Sequence, residues 1–340
     1  MKIEYRYMKK KLFRLFGVAD FSLRFLVSVL ILGMYCQFAR ADNYYGMAND
    51  YLQYGAGARS LAMGGAYVAL ADDASAPYWN PAGLAQIEEH QFLSMYAPFF
   101  EGTSHNFISY VHPLKRLGNL AISDVFLYSG GYEEVSVTGE VTGTNKSIYK
   151  NAVIISYANR VHRRTFLGVS LKLIHERVMK YSGSGEGIDL GILCKPLDRL
   201  SIGLAVQNVL QAKVTLRDEP DVYKTNLKAG LALNTFSDCV TLTADINKLV
   251  DEKAYFSVGA EISPWKKISR YSLNRLDLRL GINHIQTFSC GLGLKIKFLS
   301  LDYAFNIHKI GSLHRFGLTF SWGSIYKISG KPILKSKTYR

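Results

Sequence analysis

Several short stretches carry residue types that do chemistry elsewhere, and each fails on spacing or context. Ile174–Val178 reads IHERV, one histidine short of the H-E-x-x-H that sets two imidazoles around zinc on a helix face. Its surroundings also alternate like a strand. Gly183–Gly187 reads GSGEG, glycine-rich like a phosphate loop, but it lacks the Lys-Ser/Thr and helix that complete such a cradle. His105, His112, His162, His284, His308 and His314 share no spacing, and no G-x-S-x-G nucleophile elbow is present. The sequence therefore predicts no catalytic constellation, no metal site and no cofactor, so the chain reads as a non-enzyme.

One stretch does concentrate unusual residue types. Gly57–Ala85 reads GARSLAMGGAYVALADDASAPYWNPAGLA, rich in glycine and alanine and poor in the patterns around it. Asp72 and Asp73 are adjacent carboxylates with two available uses: capping a short helix, or pairing with bases contributed from elsewhere. Asn80 stands before Pro81, which forces a non-helical conformation. Gly83 is expected to relieve the next bend. With Trp79 and Ala82 these residues form a compact motif able to lie flat against a wall.

The elements that would supply the wall are strands. In CVTLTADIN, Val240, Leu242, Ala244 and Ile246 share one face, with Thr241, Thr243, Asp245 and Asn247 on the other. RLDLRLGIN sets Leu276, Leu278, Leu280 and Ile282 against Arg275, Asp277, Arg279 and Asn283. A strict period of two specifies one apolar and one polar face. About fourteen such segments of roughly nine to twelve residues run from 91 to 322, near the length a tilted strand needs to cross a bilayer. Short connections such as PLKRLG and KPLDR alternate with longer ones such as SGGYEEVSVTGEVTGTN and MKYSGSGEG. Long strands, a charged second face and turns short on one side and long on the other select a transmembrane antiparallel β-barrel over a soluble sandwich. SPWKKISRYSLN is too long for the short side. Tyr96, Phe99, Phe100, Tyr110, Tyr128, Tyr157, Tyr255, Phe256, Phe316, Phe320 and Trp322 fall towards strand ends, where an aromatic girdle would sit.

The start of the chain fits export. Residues 1–41 comprise a basic front, an apolar run over Phe25–Ala39 and an A-x-A site at Ala39–Ala41, the pattern of a signal peptide. It carries eight Lys/Arg against two Asp/Glu, so its removal takes the net charge from +14 to +8. That surplus forms no stripe with interleaved aromatics, so nucleic acid is not an expected partner. Cys194, Cys239 and Cys290 are an odd set without metal or redox spacing and read as packing residues. Residues 323–340 form a basic tail, expected to be disordered.

The string MGGAYVALADDASAPYWNPAGLA, followed by FLSMYAPFFEGTSHNFISYVHPL, resembles the amino-terminal signature of the PorV/PorQ-like group, which includes related spirochaete families. That group lies within the FadL-like outer-membrane transporter superfamily. The closing LDYAFNIHKIGSLHRFGLTFSW resembles the same group's last two strands. The resemblance implies a fourteen-stranded barrel over 91–322, with residues 42–90 folded into the lumen as a hatch. A barrel of that size has a bore too wide for its own side chains to fill, which agrees with a plug. Lys172, Lys228, Arg279, Lys295 and Arg315 are then candidate lumen bases, available to Asp72 and Asp73 or to the head of a ligand. The implied function is passage of small hydrophobic molecules, long-chain fatty acids being the superfamily's type substrate, past the hatch and across the outer membrane. The expected partners are outer-membrane lipid and a hydrophobic, fatty-acid-like ligand. Two other readings stand beside it: a protein-binding component that handles secreted proteins, as in type IX secretion, and a structural surface antigen.

Overall fold

The computed structural model describes residues 50–99, 102–236, 239–268, 273–283, 288–308 and 311–323. The leader, residues 42–49, Phe100, His284 and the tail beyond Gly323 lie outside the described residues. Alternating segments form β1 (His90–Pro98), β2 (Thr103–Pro113), β3 (Asn119–Val135), β4 (Val141–His162), β5 (Thr165–Val178), β6 (Tyr181–Leu197) and β7 (Leu200–Leu210). A small hairpin of β8 (Lys213–Thr215) and β9 (Pro220–Val222) follows. The wall continues with β10 (Asn226–Thr235), β11 (Val240–Leu249), β12 (Tyr255–Ile268), β13 (Leu273–Asn283), β14 (Phe288–Ile296), β15 (Leu299–His308) and β16 (Gly311–Trp322). All neighbours pair antiparallel, and β1 pairs with β16, so fourteen strands close into a barrel without a free edge.

Burial is inverted relative to a soluble protein. On β13, Leu278 and Leu280 are 41% and 39% exposed, whereas Asp277 and Arg279 between and beside them are 5% and 3% exposed. Leucines face outward and ions face inward, the arrangement lipid requires of a spanning strand. Among the described residues, no helix is long and apolar enough to cross a membrane. Tyr96, Tyr128, Phe256 and Phe316 are exposed towards the long-loop end, and Tyr157 and Trp322 towards the short-turn end. Phe99 and Tyr255 depart from the expected girdle. Phe99 packs edge-on to Tyr54 at 4.9 Å between centroids, and Tyr255 lines an inner cavity.

Two of the expected loops are strand. Much of SGGYEEVSVTGEVTGTN belongs to the extended β3–β4 hairpin, and Tyr181–Gly187 begins β6. Much of SPWKKISRYSLN likewise extends β12 and β13, which explains its length. Cys194, Cys239 and Cys290 are free thiols.

The amino-terminal segment is built from α1 (Asp50–Gln53), α2 (Ala58–Ala62), α3 (Ala76–Trp79) and a 3-10 turn over Pro81–Gln86. It runs into β1 after only Ile87, Glu88 and Glu89. Side chains from Tyr51 to Ile87 are mostly buried, against lumen-facing positions of the wall.

Candidate functional site

The wall receives this segment through glycines paired across neighbouring strands. Gly168 and Gly191 are register partners on β5 and β6. A Cβ on Gly168 would lie 2.3 Å from Ala82 N, and one on Gly191 would lie 2.9 Å from Pro81 Cδ. Gly203 and Gly230 pair between β7 and β10 and face Val68–Ala69, with Cβ approaches of 2.3 Å and 3.0 Å to backbone atoms. Gly259 and Gly281 pair between β12 and β13 and face Met63–Gly64, at 2.5 Å and 2.1 Å. Three flat seats, two strands wide, thus let segment backbone lie directly on sheet backbone.

Wall side chains then complete the segment's backbone hydrogen bonding, as buried amides and carbonyls require. Asp245 Oδ2 accepts from Tyr67 N at 2.6 Å and Val68 N at 2.9 Å. Asn283 Nδ2 donates to Gly64 O at 2.8 Å, Asn306 Nδ2 to Leu61 O at 2.9 Å and Gln207 Nε2 to Tyr78 O at 2.6 Å. These residues sit at the polar positions of their strands. The alternation marked that face, but nothing in the sequence marked which groups would meet the segment.

The motif residues hold this seat together. Trp79 Nε1 donates to Ala56 O at 2.8 Å. Asn80 is extended (φ −156°, ψ 106°), as Pro81 demands; its Nδ2 donates to Val68 O at 2.9 Å and Ile192 O at 3.2 Å, and its Oδ1 accepts from Ala82 N. Gly83 has a different reason from the expected one. Its φ lies outside the left-handed region, and a Cβ there would stand 2.1 Å from Ala71 O, so close approach requires it.

Asp72 and Asp73 meet a base from the segment itself. Arg59 Nη1 lies 2.6 Å from Asp72 and 3.5 Å from Asp73, while the Tyr67 hydroxyl donates to Asp73 at 2.6 Å. Asp73 Oδ1 also accepts from Ser75 N at 2.9 Å, which is the local capping role. Arg59 reaches the wall through Glu261, Nε to Oε2 at 2.8 Å and Nη2 to Oε1 at 2.9 Å. Burial works against the charge of Arg59, but Asp72 and Glu261 outweigh it and hold its pKa well above the ordinary value. For Tyr67, burial raises the pKa well above the ordinary value; Arg59 opposes this and Asp73 and Asp72 reinforce it.

The five lumen bases separate into different surroundings. Arg279 meets Glu261 at 2.7 Å, Asp302 at 2.6 Å and Asp277 at 3.2 Å. Arg315 is fully buried and donates to Asn306. Lys172 lies 2.8 Å from Asp189 and 3.2 Å from Asn208 Oδ1. Lys295 shares a cavity of about 180 Å³ with Asp72, Asp73 and Arg279 near the short-turn end. Lys228 lies over the rings of Trp79 and Tyr78, at 5.2 and 5.6 Å, in a second cavity of about 60 Å³. Leu249 and Tyr255 place that cavity towards the long-loop end, on the other side of the segment. Among the described residues, no group of three or more His, Cys, Asp or Glu is placed to hold a metal.

Solved structures of similar architecture include hydrocarbon transporters and channels. The toluene transporter TbuX of Ralstonia pickettii superposes with a TM-score of 0.52 at 16% identity, over 78% of this chain and 97% of that one. The toluene transporter TodX of Pseudomonas putida gives 0.55 at 14%, over 78% and 97%. CymD, a monoaromatic hydrocarbon channel, gives 0.51 at 15%, over 78% and 96%. At these identities the likeness is one of fold. The model of a family described as "Uncharacterised protein family (UPF0164)" matches residues 43–186, from the amino-terminal segment into β6. No curated protein matches the chain in sequence.

Proposed function

We propose that the protein is an outer-membrane channel for small hydrophobic molecules, with residues 42–90 as the hatch that governs passage. The observation that carries this reading is the seated segment between two cavities, one towards each end of the bore. A path from the long loops to the short turns must cross it. By the usual sidedness of such barrels the long loops face outside and the short turns the periplasm. The similar structures add support, since they include a toluene transporter and a monoaromatic hydrocarbon channel. Long-chain fatty acids belong to the same proposal, as does kinship with the PorV/PorQ-like group. The secreted-protein reading gains nothing from those relatives. Reconstituted protein should speed entry of radiolabelled toluene and of a long-chain fatty acid into liposomes, saturably and above protein-free controls. Entry at the control rate for both ends the proposal.

A further inference from the structure

Outside the bore, the short-turn end of the barrel holds bases that the fold leaves unpaired. Three successive turns, at residues 113–118, 161–164 and 197–199, carry Lys115, Arg116, Arg163, Arg164 and Arg199 against one carboxylate, Asp198. All five bases are exposed. Arg164 meets Asp198 at 2.9 Å. Among the described residues no carboxylate lies within ion-pair distance of the other four, although Glu88 lines the same notch as Lys115 and Arg116. At the long-loop end, by contrast, Lys224 lies 3.9 Å from both Asp251 and Glu252, and Arg217 lies 3.7 Å from Asp218. Each of the three turns also exposes an aliphatic side chain: Leu117 at 70%, Val161 at 57% and Leu197 at 61%. The turns are tied into one rim. Leu117 O accepts at 2.7 Å from the hydroxyl of Tyr157, a residue of the outward face of β4, and Arg164 O accepts from Lys195 N at 2.8 Å. Neighbouring turns stand two strands apart, about 10 Å.

We propose that this rim binds acidic phospholipid in the leaflet at the short-turn end, the bases taking the headgroup phosphates and Leu117, Val161 and Leu197 reaching among the acyl chains. The inference needs the barrel to span a bilayer and holds whatever crosses the bore. A guanidinium fork matches two phosphate oxygens at once, and a long basic side chain beside apolar surface keeps its charged end at the headgroup level. Bases at that level are drawn to a negatively charged leaflet. A zwitterionic headgroup offers the same phosphate but brings its own cation, which competes with the rim. An acidic protein is the poorer fit. Three aliphatic side chains set singly among charges make no apolar core for a protein interface, whereas each suits an acyl chain.

The test is native mass spectrometry of the whole barrel released from detergent containing equal amounts of phosphatidylglycerol and phosphatidylcholine with identical acyl chains. The parent should retain phosphatidylglycerol about fivefold or more over phosphatidylcholine, the preference one well-placed base supplies, and added salt should weaken it. A variant combining Lys115→Gln, Arg116→Gln, Arg163→Gln and Arg199→Gln should retain the two lipids equally. A variant combining Lys180→Gln, Lys213→Gln, Arg217→Gln and Lys224→Gln, at the long-loop end, should keep the parent's preference. Heat-modifiable gel migration confirms that each barrel is folded. Equal retention of both lipids by the parent overturns the assignment, as does a folded rim variant that keeps the preference. Equal loss in both variants also overturns it, since the preference would then follow net charge and not the rim. If the parent shows no lipid preference but binds a polyglutamate peptide through the rim bases, the partner is an acidic polypeptide and the lipid assignment falls.

Discussion

Glu261 takes hydrogen bonds from three arginines at once: Arg59 of the amino-terminal segment and Arg275 and Arg279 of the wall. A carboxylate has enough lone pairs for this, and its near-complete burial makes the arrangement costly to break from one side. Replacing Glu261 by Gln removes the one carboxylate that all three guanidinium groups share and sets an amide donor among them, while Asp72, Asp277 and Asp302 still serve one or another of the three. The expected loss is about 1–3 kcal/mol, seen as a lower melting midpoint of the detergent-solubilised barrel and faster proteolysis within residues 50–87. Melting and proteolysis like the parent would remove this role. Tyr67 gives a pH dependence of known sign. Its folded pKa lies above the unfolded value of about 10, so its stabilisation is present below pH 10 and declines as pH rises beyond it. Melting midpoints measured between pH 8 and pH 11 should fall at the alkaline end, and less steeply for Tyr67→Phe, which has no proton to lose.

At the level of elements, the three glycine seats make the sharpest claim. A side chain at Gly203 must displace the Val68 carbonyl, which is backbone and has nowhere to go. Gly203→Val should unseat the segment at a cost of about 1–3 kcal/mol, read as new protease sensitivity near Val68 while barrel migration on gels persists. Resistance equal to the parent's would show that the seat has slack. The strands themselves were legible, because alternation over ten residues leaves little choice of element or face. RLDLRLGIN alone indicated which side of β13 carries ions. The seats were not legible: a glycine on the polar face looks the same whether it weakens a strand or admits another backbone. GSGEG misled for the same reason. Its Gly183 and Gly185 lie in β6, where Cβ atoms would stand 2.5 Å and 2.8 Å from carbonyls of β8, so the small hairpin dictates them. Asp72 and Asp73 stood out as adjacent carboxylates with capping and pairing both open, but Arg59, thirteen residues before Asp72, carried no signal that it would be their partner.

For the whole molecule, an inside-out barrel with a filled bore predicts a closed resting state. In planar bilayers the intact chain should conduct little, while a variant lacking residues 50–87 that still migrates as a folded barrel should pass steady ionic current, since fourteen strands enclose more space than their own side chains occupy. Large conductance from the intact chain would contradict the filled bore. What joins the segment to the wall sets how such a closure can be relieved. Ile87, Glu88 and Glu89 are all that lie between the 3-10 turn and the first strand, a leash of about 10 Å even when pulled straight. In the channel proposed above, a stopper on so short a leash is not carried clear of the bore and later recovered. Cargo there slips past through a local yielding of one seat while the others keep their grip.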